Sequence, residues 1–115
     1  MKIVHALEVQ PQQVTEAGAA RATVRWLLSR PEGAPNFAMR LFELEPSGCT
    51  PLHHHSWEHE VFLLEGRVAV VTDSGPAELS AWDALLVSPG ERHQFRNLGE
   101  GPARLLCIIP LAPEA

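Results

Sequence analysis

Basic side chains are scarce in this chain of 115 residues. Its nine lysines and arginines are scattered, and fourteen aspartates and glutamates bring the formal net charge to −5. Nucleic-acid surfaces need a basic patch and anionic lipid attracts basic clusters, so neither nucleic acid nor a membrane is an expected partner. No apolar run is long enough to span a bilayer. Serine or cysteine hydrolase motifs and phosphate-binding glycine loops are also missing.

Cysteine is almost as scarce, with only Cys49 and Cys107. A chain of this length can bury roughly 65% of its unfolded surface, so it needs no disulfide scaffold to fold. The first residues show no pattern of a secretory signal peptide. We therefore expect a cytoplasmic protein whose thiols are reduced.

Proline and glycine, in contrast, are plentiful, with ten and eight residues. They separate short apolar segments by turns, and no segment keeps a helical period. This pattern favours an all-β antiparallel sandwich or barrel in a single domain. The predicted division is an N-terminal arm over residues 1–20 and a barrel over residues 21–115. The expected strands are 21–29, 36–45, 52–64, 67–72, 84–87, 94–97 and 104–109, with Pro46-Ser47-Gly48 ending the second.

Histidines are concentrated in one segment. His53, His55 and His59 share one parity, and residues of equal parity along a strand point to one face. A turn near Ser56-Trp57 could fold His59 back towards the other two, and a partner strand could bring His93 opposite them. Histidine is the commonest metal-ligating side chain. The spacing therefore predicts a metal site inside the barrel, although neutral histidines also cluster without a metal.

The same residues resemble the motifs of the cupin superfamily. Its first motif, G-x5-H-x-H-x3,4-E-x6-G, is similar to the segment from Gly48 to Gly66, with one residue fewer after the first glycine and His59 at the glutamate position. In the second motif the resemblance rests on Pro89, His93 and Asn97. The resemblance implies a cupin fold, which is a double-stranded β-helix or jelly-roll barrel.

A closer resemblance is to small single-domain bacterial manganese cupins. It is carried by residues 35–42, by the segment from His53 to Glu60, by 93–97 and by 107–110. Those proteins use four histidines and form homodimers. The resemblance thus implies His53, His55, His59 and His93 as ligands. Glu60 is the rival to His59, because a spacer of four residues after His55 would put it in the glutamate position.

The ligand set and the resemblance point to different metals. The resemblance implies manganese, whereas imidazole ligands alone would favour zinc, copper, nickel or iron, because manganese prefers oxygen ligands. A tetrahedral zinc ion with four histidines would be structural. Arg40 and Cys107 are the candidate catalytic residues. The alternative for Arg40 is an outward-facing arginine in a salt bridge, and the alternative for Cys107 is packing in the core. The substrate pocket is predicted from six residues: Arg40, Phe42, Trp57, Phe95, Leu105 and Cys107.

The function that these expectations favour is a metal-dependent oxygenase or dioxygenase that acts on a small organic substrate. A binding module that is not an enzyme, with the metal structural or the barrel holding a small ligand, is the first alternative. A metal-dependent isomerase or lyase is the second, and it would need a base such as Glu60 near the metal.

The expected partner is a second copy of the chain, joined through Phe62 and Leu64 or through the arm.

Overall fold

Nine β-strands and two 3₁₀ turns make up the regular structure of residues 1–112, the part of the chain that the computed structural model describes. The 3₁₀ turns are Ala6–Glu8 and Arg30–Glu32. The strands are β1 (Gln12–Gln13), β2 (Ala20–Leu28), β3 (Phe37–Cys49), β4 (His59–Glu65), β5 (Arg67–Thr72), β6 (Gly75–Ser80), β7 (Ala84–Val87), β8 (His93–Asn97) and β9 (Ala103–Pro110).

All nine strands belong to one curled antiparallel sheet. Its order is β6-β5-β8-β3-β9-β4-β7, and β2 pairs with both β3 and β1. The long strand β3 joins the two halves, because it pairs with β2 and β9 and reaches β8 at Cys49. The predicted all-β jelly-roll fold is confirmed. No helix in residues 1–112 is long and apolar enough to cross a membrane.

The inward face of the sheet changes in character along the strands. At one end, the fully buried aliphatic side chains of Leu44, Leu63, Val68 and Leu105 fill the interior. Two and four residues before Leu44 on β3, Phe42 and Arg40 line an internal cavity instead. The alternation of side chains along a strand explains both, since all three β3 residues share one parity. One end of the barrel is therefore packed and the other is open to a ligand.

Strand β3 is longer than the sequence predicts, and the prediction that Pro46-Ser47-Gly48 ends it was wrong. The backbone passes these residues with Ser47 at φ 66°. At Gly48 a Cβ atom would lie only 2.6 Å from the carbonyl oxygen of Arg21, so a side chain does not fit there. The irregular backbone keeps β3 paired and delivers Cys49 and Thr50 to β8.

Two further residues of the motifs have structural roles. Gly66 forms the β4–β5 turn at φ 92°, where an added Cβ would lie 2.9 Å from the Cα of Ala103. The buried Asn97 side chain donates to the carbonyl oxygens of Leu44 (3.0 Å) and Gly101 (2.9 Å). It thereby ties β8 to β3 and to the turn before β9.

The N-terminal arm lies along β2 of its own chain. Gln12 and Gln13 of β1 pair with β2, and the Arg25 guanidinium donates to the carbonyl oxygens of Leu7 (3.1 Å) and Val9 (2.8 Å). Arg25 also binds Glu43 at 2.7 Å. These contacts bring the segment around Glu16 to the mouth of the cavity. Exchange of the arm between two copies stays a prediction.

Candidate metal centre

Two histidines of the loop between β3 and β4 are held against β8 by backbone hydrogen bonds. The amide of His53 donates to the carbonyl oxygen of His93 at 3.2 Å, and the amide of His93 donates back at 2.9 Å. The amide of Gly90 donates to the carbonyl oxygen of His55 at 2.7 Å. Gly90 has φ 81°, a conformation that suits glycine in the turn before β8. The chain then bends at Ser56 and Trp57, as predicted, before β4 begins at His59.

His53, His55 and His93 converge on one point in the cavity. Their ring centroids lie 4.9–5.2 Å apart. One nitrogen from each ring lies within 4.8 Å of the other two. The parity argument accounts for this arrangement, because His53 and His55 share a face and the antiparallel bridge sets His93 opposite.

The outer nitrogen of each ring in this triad has an oxygen partner. His53 Nδ1 lies 2.9 Å from a carboxylate oxygen of Glu16. His55 Nδ1 lies 3.2 Å from the carbonyl oxygen of Trp57, and His93 Nδ1 lies 2.9 Å from that of Glu91. Since these oxygens are acceptors, each Nδ1 donates to its partner, and Nε2 is the ring nitrogen that can offer a lone pair to a metal ion. The Nε2 of His93 is buried and has no hydrogen-bond partner.

Burial favours the neutral form of His55 and of His93. Desolvation lowers the pKa of His55 and of His93 from the usual 6.5, against the opposing effect of their backbone partners. A neutral imidazole offers a lone pair, whereas an imidazolium offers none. Three converging histidine nitrogens, each on a ring oriented by an oxygen partner and one of them buried without a partner of its own, fit a divalent metal ion.

His59 lies beside this triad but has another partner. Its ring centroid is 5.7 Å from that of His55 and 5.5 Å from that of His93. Its Nε2 lies 3.1 Å from a guanidinium nitrogen of Arg40, which donates to it. Burial, followed by the charge of Arg40, lowers the pKa of His59 to about 3. A lone pair that accepts from Arg40 cannot also bind an ion, so His59 joins the triad as a fourth ligand only if Arg40 releases it.

Glu60, the rival to His59, is exposed and does not line the cavity. It follows the buried His59 on β4, and the alternation along the strand turns it to the opposite face. A base at Glu60, which the isomerase or lyase alternative would need, is therefore not next to the histidines.

The cavity has a volume of about 540 Å³, which is in the range of small-molecule sites. All six residues of the predicted pocket line it: Arg40, Phe42, Trp57, Phe95, Leu105 and Cys107. Trp57 stacks on His55 with ring centroids 4.5 Å apart.

Sequence reasoning missed Glu16 and Trp26 as lining residues. Trp26 shares the parity of Val24 on β2, which was a usable signal, whereas nothing local marked Glu16.

Glu16 is expected to orient His53 as a metal ligand. A carboxylate on the outer nitrogen fixes the tautomer and makes the ligand more basic, and losing such a partner lowers metal affinity roughly 10–100-fold. Since the Glu16 side chain is 59% exposed, we expect Glu16→Gln to weaken metal binding by about 10-fold. Competition with a chelator measures this. Glu8→Gln, which changes an exposed glutamate elsewhere on the arm, should leave the affinity unchanged, and equal affinities for all three proteins would contradict the role.

Comparison with known proteins identifies the fold and a group of relatives. A family model described as "Cupin domain" matches residues 40–109. The solved structure of the polyketide cyclase RemF from Streptomyces resistomycificus superposes with a TM-score of 0.90 at 38% identity, covering 96% of this chain and 79% of that one. A predicted oxalate decarboxylase from Thermotoga maritima, with a TM-score of 0.85 at 21% identity, covers 96% of this chain and 100% of that one and shares the fold alone.

Among curated proteins, the chain is 34% identical to the polyketide synthase CurC from Streptomyces cyaneus over 84 residues. That match covers 71% of this chain and 54% of CurC. The chain is also 34% identical over 83 residues to the tetracenomycin polyketide synthase protein TcmJ from Streptomyces glaucescens, covering 70% and 56% of the two chains. The chain thus spans about half the length of the curated relatives it matches.

Proposed function

The chain belongs to the cupin family, and from that premise we propose that it is a metal-dependent enzyme that cyclises an enolisable polycarbonyl compound. The observation that carries the proposal is the convergence of three free histidine nitrogens in a cavity that is otherwise mostly apolar. The similarity to RemF, whose name describes a polyketide cyclase, supports the substrate class.

In this proposal His53, His55 and His93 would hold the ion, with His59 as a candidate fourth ligand. We propose manganese as the ion, with iron as the second choice. Zinc, if all four histidines bound it, would have a structural role. A bound divalent ion would supply positive charge that stabilises negative charge on a substrate oxygen. The histidine side chains contribute no negative charge, so the ligands themselves would not reduce that effect.

The remaining cavity residues would fold the substrate and exclude water. Phe42, Phe95 and Leu105 form apolar walls, and such walls favour a coiled substrate whose reacting carbons are close together. In the cyclisation, an α-carbon gives up a proton and bonds to a distant carbonyl carbon, whose oxygen takes up a proton. Loss of water then makes the new ring conjugated. No oxidant or reductant is needed.

The test uses a synthetic linear 1,3,5-triketone and metal-loaded protein. We expect a product lighter by one water, formed faster than in buffer that contains the ion alone, as followed by absorbance and mass spectrometry. Chelator-treated protein and His93→Gln serve as controls. The proposal fails if the loaded protein is no faster than these controls.

Oxygenation is the second candidate, and one feature of the triad favours it. If His53, His55 and His93 held a redox-active ion, three protein ligands would not saturate it, and the ion could supply the activation of dioxygen that oxygenation needs. The same reaction run in an oxygen electrode separates the two functions. Oxygen uptake with a product heavier by one or two oxygen atoms would support the oxygenase and contradict the cyclase, and ligand binding without turnover would leave a binding protein.

A homodimer, expected from the resemblance, is also proposed. Leu64 of β4 (42%) and Leu86 of β7 (57%) are exposed, and Trp82 (77%), in the turn before β7, packs edge-on against Phe62 of β4. Exposed large apolar side chains on neighbouring elements favour an association site. We expect sedimentation velocity to give a dimer at micromolar concentration and Leu86→Glu to give a monomer, with Leu98→Glu at another exposed leucine as the matched control. A wild-type monomer would contradict the proposal.

A further inference from the structure

Arg40 is an unpaired cation inside the cavity. One of its terminal nitrogens donates to His59, and its Nε is buried without a hydrogen-bond partner. Within residues 1–112 no carboxylate lies within 4.0 Å of its guanidinium. Arg40 is half-buried, and an arginine that is partly removed from water is normally paired, because taking a charge out of water is costly. Arg40 thus lacks the anionic partner that such a guanidinium normally has.

Two aromatic rings hold the guanidinium in place. Its Cζ lies 5.3 Å from the ring centroid of Trp26, which faces Arg40 across β2 and β3, and 4.9 Å from that of Phe42. Rings at these distances stabilise a cation through the negative charge of their faces. They leave most of the five N–H donors of the guanidinium without an acceptor among the described residues of the protein. The rings thus fix the position of the charge without satisfying it.

The neighbouring titratable groups do not neutralise Arg40. Cys107 lies opposite it on β9, and burial raises the pKa of that thiol to about 12, so it is uncharged. His59 accepts a hydrogen bond from Arg40 at 3.1 Å but brings no negative charge. Glu16 is the one carboxylate among the described residues that line the cavity, and it is bound to His53. The described residues of the cavity therefore leave the positive charge of Arg40 without an anionic partner.

We propose that Arg40, Trp26 and Phe42 form a subsite for a planar organic anion, a carboxylate attached to a conjugated or aromatic group. We call these three residues the Arg40 subsite. The guanidinium fork would bind the carboxylate through two parallel hydrogen bonds, the geometry for which arginine is suited. The rings of Trp26 and Phe42 would pack against the flat part of the ligand. This assignment deepens the proposed function by naming a charge that its substrate carries, and it rests on that function only for the identity of the substrate.

The test measures binding of benzoate and of its neutral analogue benzamide by calorimetry at pH 8. Chelator-treated protein is used, so that no ion can bind the carboxylate. We expect wild-type protein to bind benzoate at least about 10-fold more tightly than benzamide, because hydrogen bonds between ions are stronger than neutral ones. Arg40→Met should abolish this preference. The matched control is Arg96→Met, which removes an exposed arginine outside the cavity and should preserve it.

A second measurement covers the case in which Arg40→Met does not fold. In wild-type protein labelled with ¹⁵N-arginine, benzoate should shift the Nε–H signal of Arg40, and benzamide should not. Equal affinity for the two compounds, or a preference that survives in folded Arg40→Met, would overturn the proposal. Because the protein is metal-free, this result does not depend on whether the loaded enzyme cyclises a polyketone. Anion binding without turnover would count against the proposed function alone, and turnover without anion preference would count against the Arg40 subsite alone.

Discussion

His93→Gln is expected to lower the affinity of the protein for a divalent ion by more than about 100-fold. Loss of a residue that only orients a ligand costs about 10–100-fold, and His93 is itself a proposed ligand. His93 is 1% exposed, its Nε2 has no partner in the protein, and its Nδ1 is held by the carbonyl oxygen of Glu91. An amide of similar size fills the space but is a much weaker metal ligand than imidazole. Equilibrium dialysis against manganese, iron and zinc measures the change.

The matched control for this variant is His54→Gln. His54 stands in the same run of histidines but is exposed, and it does not belong to the triad whose nitrogens converge. We expect it to bind metal as the wild type does. Circular dichroism checks that both variants are folded. Equal metal affinities for folded His93→Gln and His54→Gln would show that the ion, if it binds, is held elsewhere.

The Cys107 thiol is expected to be almost inert in the folded protein. Burial raises its pKa to about 12 from the usual 9, and the charge of Arg40 offsets only part of this effect. A rise of about three units leaves roughly 1000-fold less thiolate, which is the reactive form. At pH 8 we therefore expect iodoacetamide to alkylate Cys107 at least about 1000-fold more slowly in the native protein than in denaturant.

Mass spectrometry of the peptide that contains Cys107 separates it from Cys49, which is also a buried free thiol. The denatured chain supplies the reference rate. If Cys107 reacted in the native state at a rate near that reference, the thiol would be accessible and ionised, and a catalytic or redox role would return. Slow alkylation would support the view that the Cys107 thiol only lines the cavity beside Arg40.

The convergence of the histidines was predictable because it depends on a simple alternation. Residues 53 and 55 face one side of an extended chain whatever its surroundings, and the same rule sets His59 inward and Glu60 outward. His93 follows from the antiparallel bridge to His53. The lining positions of Phe42, Leu105 and Cys107 follow from the same period-two rule on β3 and β9.

Features that depend on distant contacts were not predictable. Glu16 reaches His53 because Arg25 binds the carbonyl oxygens of the arm, and no local pattern signals that contact. The continuation of β3 through Pro46 and Gly48 depends on a backbone irregularity that breaks the usual turn signal. The contact of Arg40 with His59 depends on side-chain conformations.

The most direct test of the metal centre is elemental analysis of the untagged protein after reconstitution with manganese, iron or zinc and removal of excess ion. Three converging imidazoles, each oriented by an oxygen partner, predict one firmly bound ion per chain for at least one of these metals. Less than about a tenth of an ion per chain with all three metals would contradict a metal centre at these histidines, since a preformed set of this kind binds such ions.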